Sequence, residues 1–424
     1  LIIASSTIHY GRIVTAISAP ALSKETTMKR VILLLLTLAI VATPAFAAAP
    51  GISTCRLSAC PAGATQVGPG QSIQTVINAA ANGAKICVKP GTYTANLSFM
   101  GKRITLVSAG GPGVTILKGT GTGPVVTFNH FEAADSVLDG FTITSGKAPN
   151  GGGLLINSAS PTVRNCIVKN NMATGGNFSR GGGAFVGGAS SRPLITCVQF
   201  AFNQATYAGG GLATGGSADV YLRTDDFEQN TAPYGGALAA YSSGRLDVGT
   251  TTFINNQAGV DGGGIHSGVT YGTALVRNSC FRANRAGGIG GGIWVPAGLA
   301  QVLNSTFDGN QASTGGGIAA GFGSMVDVNS TIFVNNRNAA LVNASPSDTS
   351  VVNHFNDFFN NVGSPAYQAT YGDLGLLALD PRLGTDCCPL AGSPVLGAGD
   401  PDYHFNNVGN GQRNDMGACG GPAI

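Results

Sequence analysis

The sequence predicts an all-β fold: a right-handed parallel β-helix with a short capping helix at its N-terminal end. Three observations predict it. The motif Phe-x-x-Asn recurs at Phe200/Asn203, Phe227/Asn230, Phe253/Asn256, Phe281/Asn284, Phe307/Asn310 and Phe333/Asn336, with Phe spacings of 27, 26, 28, 26 and 26 residues. A glycine marker keeps the same phase, at Gly151–Gly153, Gly181–Gly183, Gly209–Gly211, Gly235-Gly236-Ala237, Gly262–Gly264, Gly290–Gly292 and Gly315–Gly317. Between the markers apolar residues alternate, as in Val220, Leu222 and Phe227 or Leu246, Val248 and Phe253. Period-two runs are half-buried strands, and a repeat near 26 residues matches one coil of about three short strands.

Each marker has a physical task in such a stack. Successive coils lie one strand spacing apart, about 4.8 Å, so the Phe rings form an internal column. The Asn amides pass hydrogen bonds along a second column and satisfy buried turn backbone. The glycines allow backbone conformations and close approaches that a Cβ obstructs. The Phe-x-x-Asn pattern is expected to begin with a degenerate copy at Ile167/Asn170 and to end with another at Phe358/Asn361.

The ends of the stack need closure, because an open β-helix exposes strand edges. Ser72 to Ala81 places Ile73, Val76, Ile77 and Ala80 on one helical face and meets Asn82-Gly83 as its stop, so it reads as the capping helix. Irregular early coils follow at Ile86–Val88, Ile104–Val107, Val114–Leu117, Val125–Phe128 and Val137–Ile143. The regular coils occupy about 150–361, the whole β-helix 48–361, and the loop-rich residues 362–424 are expected to cap the far end.

Residues 1–47 stand apart. Met28-Lys29-Arg30, the apolar run Val31–Ala42 and Ala45-Phe46-Ala47 have the order of a signal peptide, with cleavage expected after Ala47. The apolar run is too short for a membrane span. Residues 1–27 read as an upstream extension. Arg12, Lys24, Lys29, Arg30 and Glu25 account for the whole formal charge of +3, so 48–424 is near neutral. That argues against a nucleic-acid surface. A secreted or cell-surface location is therefore expected, with no membrane span in the mature chain. All nine Cys lie beyond Ala47, where export permits disulfides. Cys55–Cys60 is the expected local pair, and Cys387 or Cys388 is expected to join Cys419. An odd count leaves one thiol over. No spacing suggests zinc.

Three segments resemble known families. Gly70-Gln71-Ser72-Ile73-Gln74, Val88-Lys89-Pro90-Gly91-Thr92-Tyr93 and Gly101-Lys102-Arg103-Ile104-Thr105-Leu106 resemble the opening of the pectin-lyase-like β-helix superfamily. The Phe-x-x-Asn and Gly-Gly-Gly-Ile pairs resemble the repeats of chlamydial polymorphic outer-membrane proteins. Gly392-Ser393-Pro394-Val395-Leu396-Gly397-Ala398-Gly399 with Asp415-Met416-Gly417-Ala418 is similar to the C-terminal segment of choice-of-anchor Q proteins. The resemblances imply fold far more than activity, since this fold hosts lyases, hydrolases, adhesins and scaffolds.

Two groups of residues are candidates for function. Arg223, Asp225, Asp226 and Asp247, with Asp219, Arg245 and Asp261 on nearby coils, form the densest charged set. In a polysaccharide lyase or glycoside hydrolase, carboxylates act as acid and base or hold Ca²⁺. The phase of the repeat puts Asp219 and Arg245 at equivalent places in successive coils, which fits a surface ladder of charges equally well. The second group follows the glycine triplets by two residues: Leu155, Phe185, Ala213, Ala239, His266, Trp294 and Ala319. By alternation this column faces outward and sets His266 beside Trp294, the single Trp. Such aromatics stack on sugar rings. The reading is a non-catalytic protein of adhesion, carbohydrate contact or envelope architecture, with Phe185, His266 and Trp294 contacting a polysaccharide or cell-surface partner. The alternative is a polysaccharide lyase or hydrolase using Arg223, Asp225, Asp226 and Asp247. No cofactor is expected, and Ca²⁺ enters only under the lyase alternative.

Overall fold

The computed structural model describes residues 55–57, 59–241, 243–268, 272–345, 349–363, 371–402 and 413–420. The expected signal peptide and upstream extension lie outside them. Within the unit 48–424, short strands stack in parallel register into four sheets of 13, 11, 6 and 10 strands among the described residues. We call them the first, second, third and fourth sheets, in the order in which one coil visits them. In the coil of Phe227 these are Val220–Arg223, Asp226–Glu228, Thr231–Tyr234 and Leu238–Ala240. This is a parallel β-solenoid.

The Phe markers stack along the second sheet. From Phe200 through Phe227, Phe253, Phe281, Phe307 and Phe333 to Phe358, ring centroids lie 4.5–5.1 Å apart with planes within 15°. The Asn markers form a ladder. The Asn256 amide donates to Phe227 O (2.8 Å) and to Asn284 Oδ1 (3.0 Å), while its own Oδ1 accepts from the backbone and side chain of Asn230, both at 3.0 Å. The ladder begins at Asn171, not Asn170, and Val168, not Ile167, pairs with Phe200. The degenerate copy is thus displaced by one residue. Ile167 and Val168 are both apolar, so alternation cannot tell them apart, whereas strand register can.

One triplet shows why three glycines recur. Gly262 has φ +69°. A Cβ on Gly263 would lie 2.4 Å from Gly291 O in the next coil, and one on Gly264 would lie 3.0 Å from Phe281 Cδ1. Handedness of backbone, coil stacking and ring packing each claim one glycine.

The helix covers Ile73–Ala79, shorter than the expected Ser72–Ala81. Ser72 caps its start by accepting the Thr75 N–H. Lys102 Nζ donates to the carbonyls of Ile77, Asn78 and Ala80 at its end, where a cation is favoured. Ile73 and Ile77 enter the solenoid core, with Val76 and Ala80 against it.

Disulfides tie flanking segments to the outside of the coils. Cys55 pairs with Cys197, and Cys60 with Cys87, which corrects the expected local pair Cys55–Cys60. Stacking brings a wall cysteine to each of them, with Cα separations of 5.8 and 5.6 Å. At the other end Cys388–Cys419 forms as anticipated, and Cys280 joins Cys387. Cys166 is the leftover thiol. Burial pushes it up to about 12, so it is inert.

In the described tail, Tyr371–Leu374 adds the last strand of the first sheet, and later residues lie along the outer face of the second sheet. Val395 and Met416 pack with Ile332 and Val334, and Ala418 packs with the Cys280–Cys387 bridge. Arg282 Nη2 donates to Gly384 O, and Thr306 Oγ1 donates to Cys387 O while accepting from Ala418 N.

Candidate functional site

The charged group does not converge. Asp247 sits on the outer face of the first sheet and accepts from Arg245 (2.7 Å), Arg223 (3.1 Å) and Arg277 (3.1 Å). Burial works to raise its pKa, but the guanidinium groups of Arg223 and Arg277 outweigh that and hold it below the usual carboxylate value. Arg223 also donates to the carbonyls of Leu222 and Asp247, so its hydrogen bonds are spent on the wall. Asp219 accepts the backbone N–H of Arg245 and pairs with Arg192, one coil before it. That is a ladder of charges, although the Arg245 guanidinium itself turns to Asp247.

Asp225 is 1% exposed and turns into the corner between the first and second sheets. It accepts the backbone N–H groups of Val198 and Arg223. Ser279, Ser305 and Thr331 hold the same corner in later coils, each accepting a backbone N–H from the coil before. Burial raises the Asp225 pKa well above the ordinary carboxylate value. Asp226, 6% exposed, lies on the outer face of the second sheet and accepts from Thr252 Oγ1 and Gln199 Nε2. Burial and then neighbouring Glu228 raise it to about 6. Asp261 is elsewhere again, on the third sheet, accepting the Ile289 N–H. These carboxylates therefore lie at a corner, on the first, second and third sheets and, for Asp219, just before the strand Val220–Arg223, with no shared cleft between them.

The aromatic column is brought together. Strand register places Phe185, Ala213, Ala239, His266 and Trp294 in one row across the fourth sheet. Their chain neighbours Ala184, Leu212, Leu238, Ile265 and Ile293 enter the core, and the row itself faces away from it. The row is not bare, however: Ala213 and Ala239 are fully buried and His266 is 7% exposed. The cover consists of side chains that the sequence pattern did not single out. Tyr207 and Tyr234 stand at the third-sheet edge, Tyr241 follows the fourth-sheet strand, and Arg180 precedes a glycine triplet.

These side chains form one aromatic cluster. Tyr234 meets His266 edge-on at 5.5 Å, and Tyr241 lies 5.2 Å from His266 and 6.2 Å from Tyr207. Phe178, 64% exposed on a glycine-led loop, meets Tyr207 edge-on at 5.1 Å. The Arg180 guanidinium lies over the rings of Tyr241 (4.8 Å) and Tyr207 (5.4 Å). Arg180 Nε and His266 Nδ1 are buried and have no hydrogen-bond partner. Burial lowers the His266 pKa to about 4, so it is neutral at physiological pH. At the ends of the row, the Phe185 ring lies against Gly187 and Gly215, and the Trp294 ring against Gly321. A Cβ on Gly321 would come within 2.5 Å of Trp294 Cη2. The row is thus an aromatic strip with two ends fitted over glycines and a middle that holds a cation and a neutral imidazole.

In comparisons with known proteins, no family model, no curated protein and no solved structure matches the chain. The site must be read from its own chemistry.

Proposed function

We propose that this is a secreted or cell-surface β-solenoid protein that contacts carbohydrate through the aromatic strip of its fourth sheet, without catalysing a reaction there. One observation carries the reading. Phe185 and Trp294 flank a half-buried Arg180–Tyr cluster around the buried His266 on a rigid sheet, and two buried polar atoms of that cluster have no partner among the described residues. Rings fixed on a stiff scaffold bind sugar faces with little ordering cost, and unpaired buried polar atoms are features that a ligand completes. The signal-like order of residues 28–47, the four disulfides and the resemblances to pectin-lyase-like and surface β-helix proteins support the extracellular placement. Among the described residues no helix is long and apolar enough to cross a membrane. The test is a glycan-array screen of the wild-type chain and of the double variant Trp294→Ala, His266→Ala. Binding that the double variant loses supports the reading, and unchanged binding refutes the strip as the contact surface.

A second reading, glycan cleavage, draws on a different place. A cleft of about 810 Å³ lies where the tail meets the first sheet, and Asp327, His354 and Asp400 are among the residues lining it. Burial raises the Asp327 pKa, with His354 beside it opposing and Asp400 adding to the rise. Asp400 is oriented by the Asn329 amide at 2.7 Å. One carboxyl biased toward its acid form near another that is fixed in place is the arrangement acid–base glycan chemistry uses. Product release from a glycan panel that Asp327→Asn abolishes would establish this reading. No product from any glycan would exclude it.

A further inference from the structure

We propose that the tyrosine cluster around Arg180 binds the acid group of a negatively charged sugar residue, while Phe185 and Trp294 stack on its neighbours in the same chain. This deepens the carbohydrate reading and rests on it. The first ground is the electrostatic state of Arg180. Its guanidinium lies over Tyr207 and Tyr241, and its Nε is buried and unpaired. The other arginines that pair on the coil wall do so with Asp139, Asp219, Asp247 or Asp308. No described carboxylate lies within ion-pair distance of Arg180. Arg180 is half-buried; a guanidinium whose Nε is cut off from water and whose neighbours are ring faces rather than a carboxylate is under-compensated, and its planar fork matches a carboxylate or sulfate.

The second ground is the imidazole in the same cluster. His266 Nδ1 is buried and unpaired, held between Tyr234 and Tyr241. A neutral imidazole nitrogen can donate to an acid oxygen or accept from a sugar hydroxyl. Ala213 and Ala239, the two smallest side chains of the five from Phe185 to Trp294, are fully buried beneath the tyrosines and Arg180 and let them lie close over the sheet.

The third ground is spacing. Phe185 and Trp294 are four coil steps apart in register, which is about 19 Å at one strand spacing per coil. A short oligosaccharide laid along the solenoid axis would meet a stacking ring at each end and the cation between them. The exposed Phe178 extends the ring cluster beside Tyr207.

Calorimetric titration of the full chain tests this with three probes of similar length: an oligogalacturonate (carboxylate), a heparin oligosaccharide (sulfate) and a neutral malto-oligosaccharide. At least one acidic probe should bind about tenfold or more tightly than the neutral one, the gain expected of a charge-assisted contact. Arg180→Gln should erase that preference. Trp294→Ala should weaken acidic and neutral probes alike. In the wild-type chain, added NaCl should shrink the preference, a readout that needs no variant. Which acidic probe responds identifies the acid. Equal binding of acidic and neutral probes, or a preference that survives Arg180→Gln or high salt, overturns the proposal but leaves carbohydrate contact standing. Failure of every probe to bind overturns both.

Discussion

The outer faces of the second and fourth sheets are built from the same repeat and finished in opposite ways. On the second sheet, Cys280, Thr306 and Ile332 are met by the protein's own tail through a disulfide, hydrogen bonds and an apolar cluster. On the fourth sheet, the described residues over Ala213, Ala239 and His266 are side chains from adjoining turns, and Arg180 Nε and His266 Nδ1 have no partner among the described residues. A face closed by main chain has its polar groups answered from within. A face roofed by rings and one cation keeps a demand that a ligand can meet. Even on the clothed face the contrast has one exception, Asp357. Its Oδ1 accepts the Leu379 N–H while its Oδ2 is unpaired, and burial raises it to about 6.

The comparison can be broken at several points. The largest effect belongs to the scaffold that both faces share. Asn256→Ala removes an amide bonded in three directions in the core and should cost at least about 3 kcal/mol. Thermal and denaturant melts read this as a large loss of stability. Releasing the tail comes next. Replacing Cys280 and Cys387 together by Ser removes a bridge closing 107 residues, and should cost about 2–5 kcal/mol. Glycan binding by the fourth sheet should persist at temperatures where the variant stays folded. Its loss there would show that the two faces are not independent.

Asp226→Asn should act in the other direction. The folded chain holds the Asp226 proton up to about pH 6, against 3.8 for the unperturbed group. The folded state therefore binds more protons between these values, and the contribution of Asp226 to stability, full below about pH 4, is lost as pH rises through 6. The variant should be more stable than wild type by about 1–3 kcal/mol at pH 7–8, with the gain gone below about pH 4. Asp247→Asn should show the reverse sign, because the arginines lower that carboxyl. It should destabilise at neutral pH, and the difference from wild type should fade as acid protonates Asp247. Melting curves of both variants across pH check the opposite slopes. Parallel slopes would mean that the two carboxylates share an environment after all. The smallest effect belongs to the exposed ladder: Arg192→Gln, which removes the partner of Asp219, should change stability by less than about 1 kcal/mol.

Much of the second-sheet column was legible because each coil presents the same residue to the same neighbour. Phe, Asn and Gly recur where stacking, amide pairing and close approach recur. Legibility failed where two adjacent residues suit one position, as at Ile167 and Val168. It failed again where the partner is distant in sequence, as when Cys55 meets Cys197. The strip was half legible: register alone sets His266 beside Trp294, but Arg180, Tyr207, Tyr234 and Tyr241 stand outside the two markers. A weak signal existed in the tyrosines at 207 and 234, each one or two residues before a glycine pair or triplet.

By itself the sequence determined the coil length, the stacked columns and the outward direction of Phe185, His266 and Trp294, because these follow from local alternation multiplied by a repeat. Only the tertiary structure decided which surfaces are clothed. Whether a tail, a ring or a guanidinium covers a sheet depends on segments converging from different coils, and no single period in the chain encodes that convergence. That is why Asp225 and Asp226, adjacent in sequence, face a structural corner and a sheet surface. It is also why Arg180 and His266, 86 residues apart in the chain, meet the same ring, Tyr241.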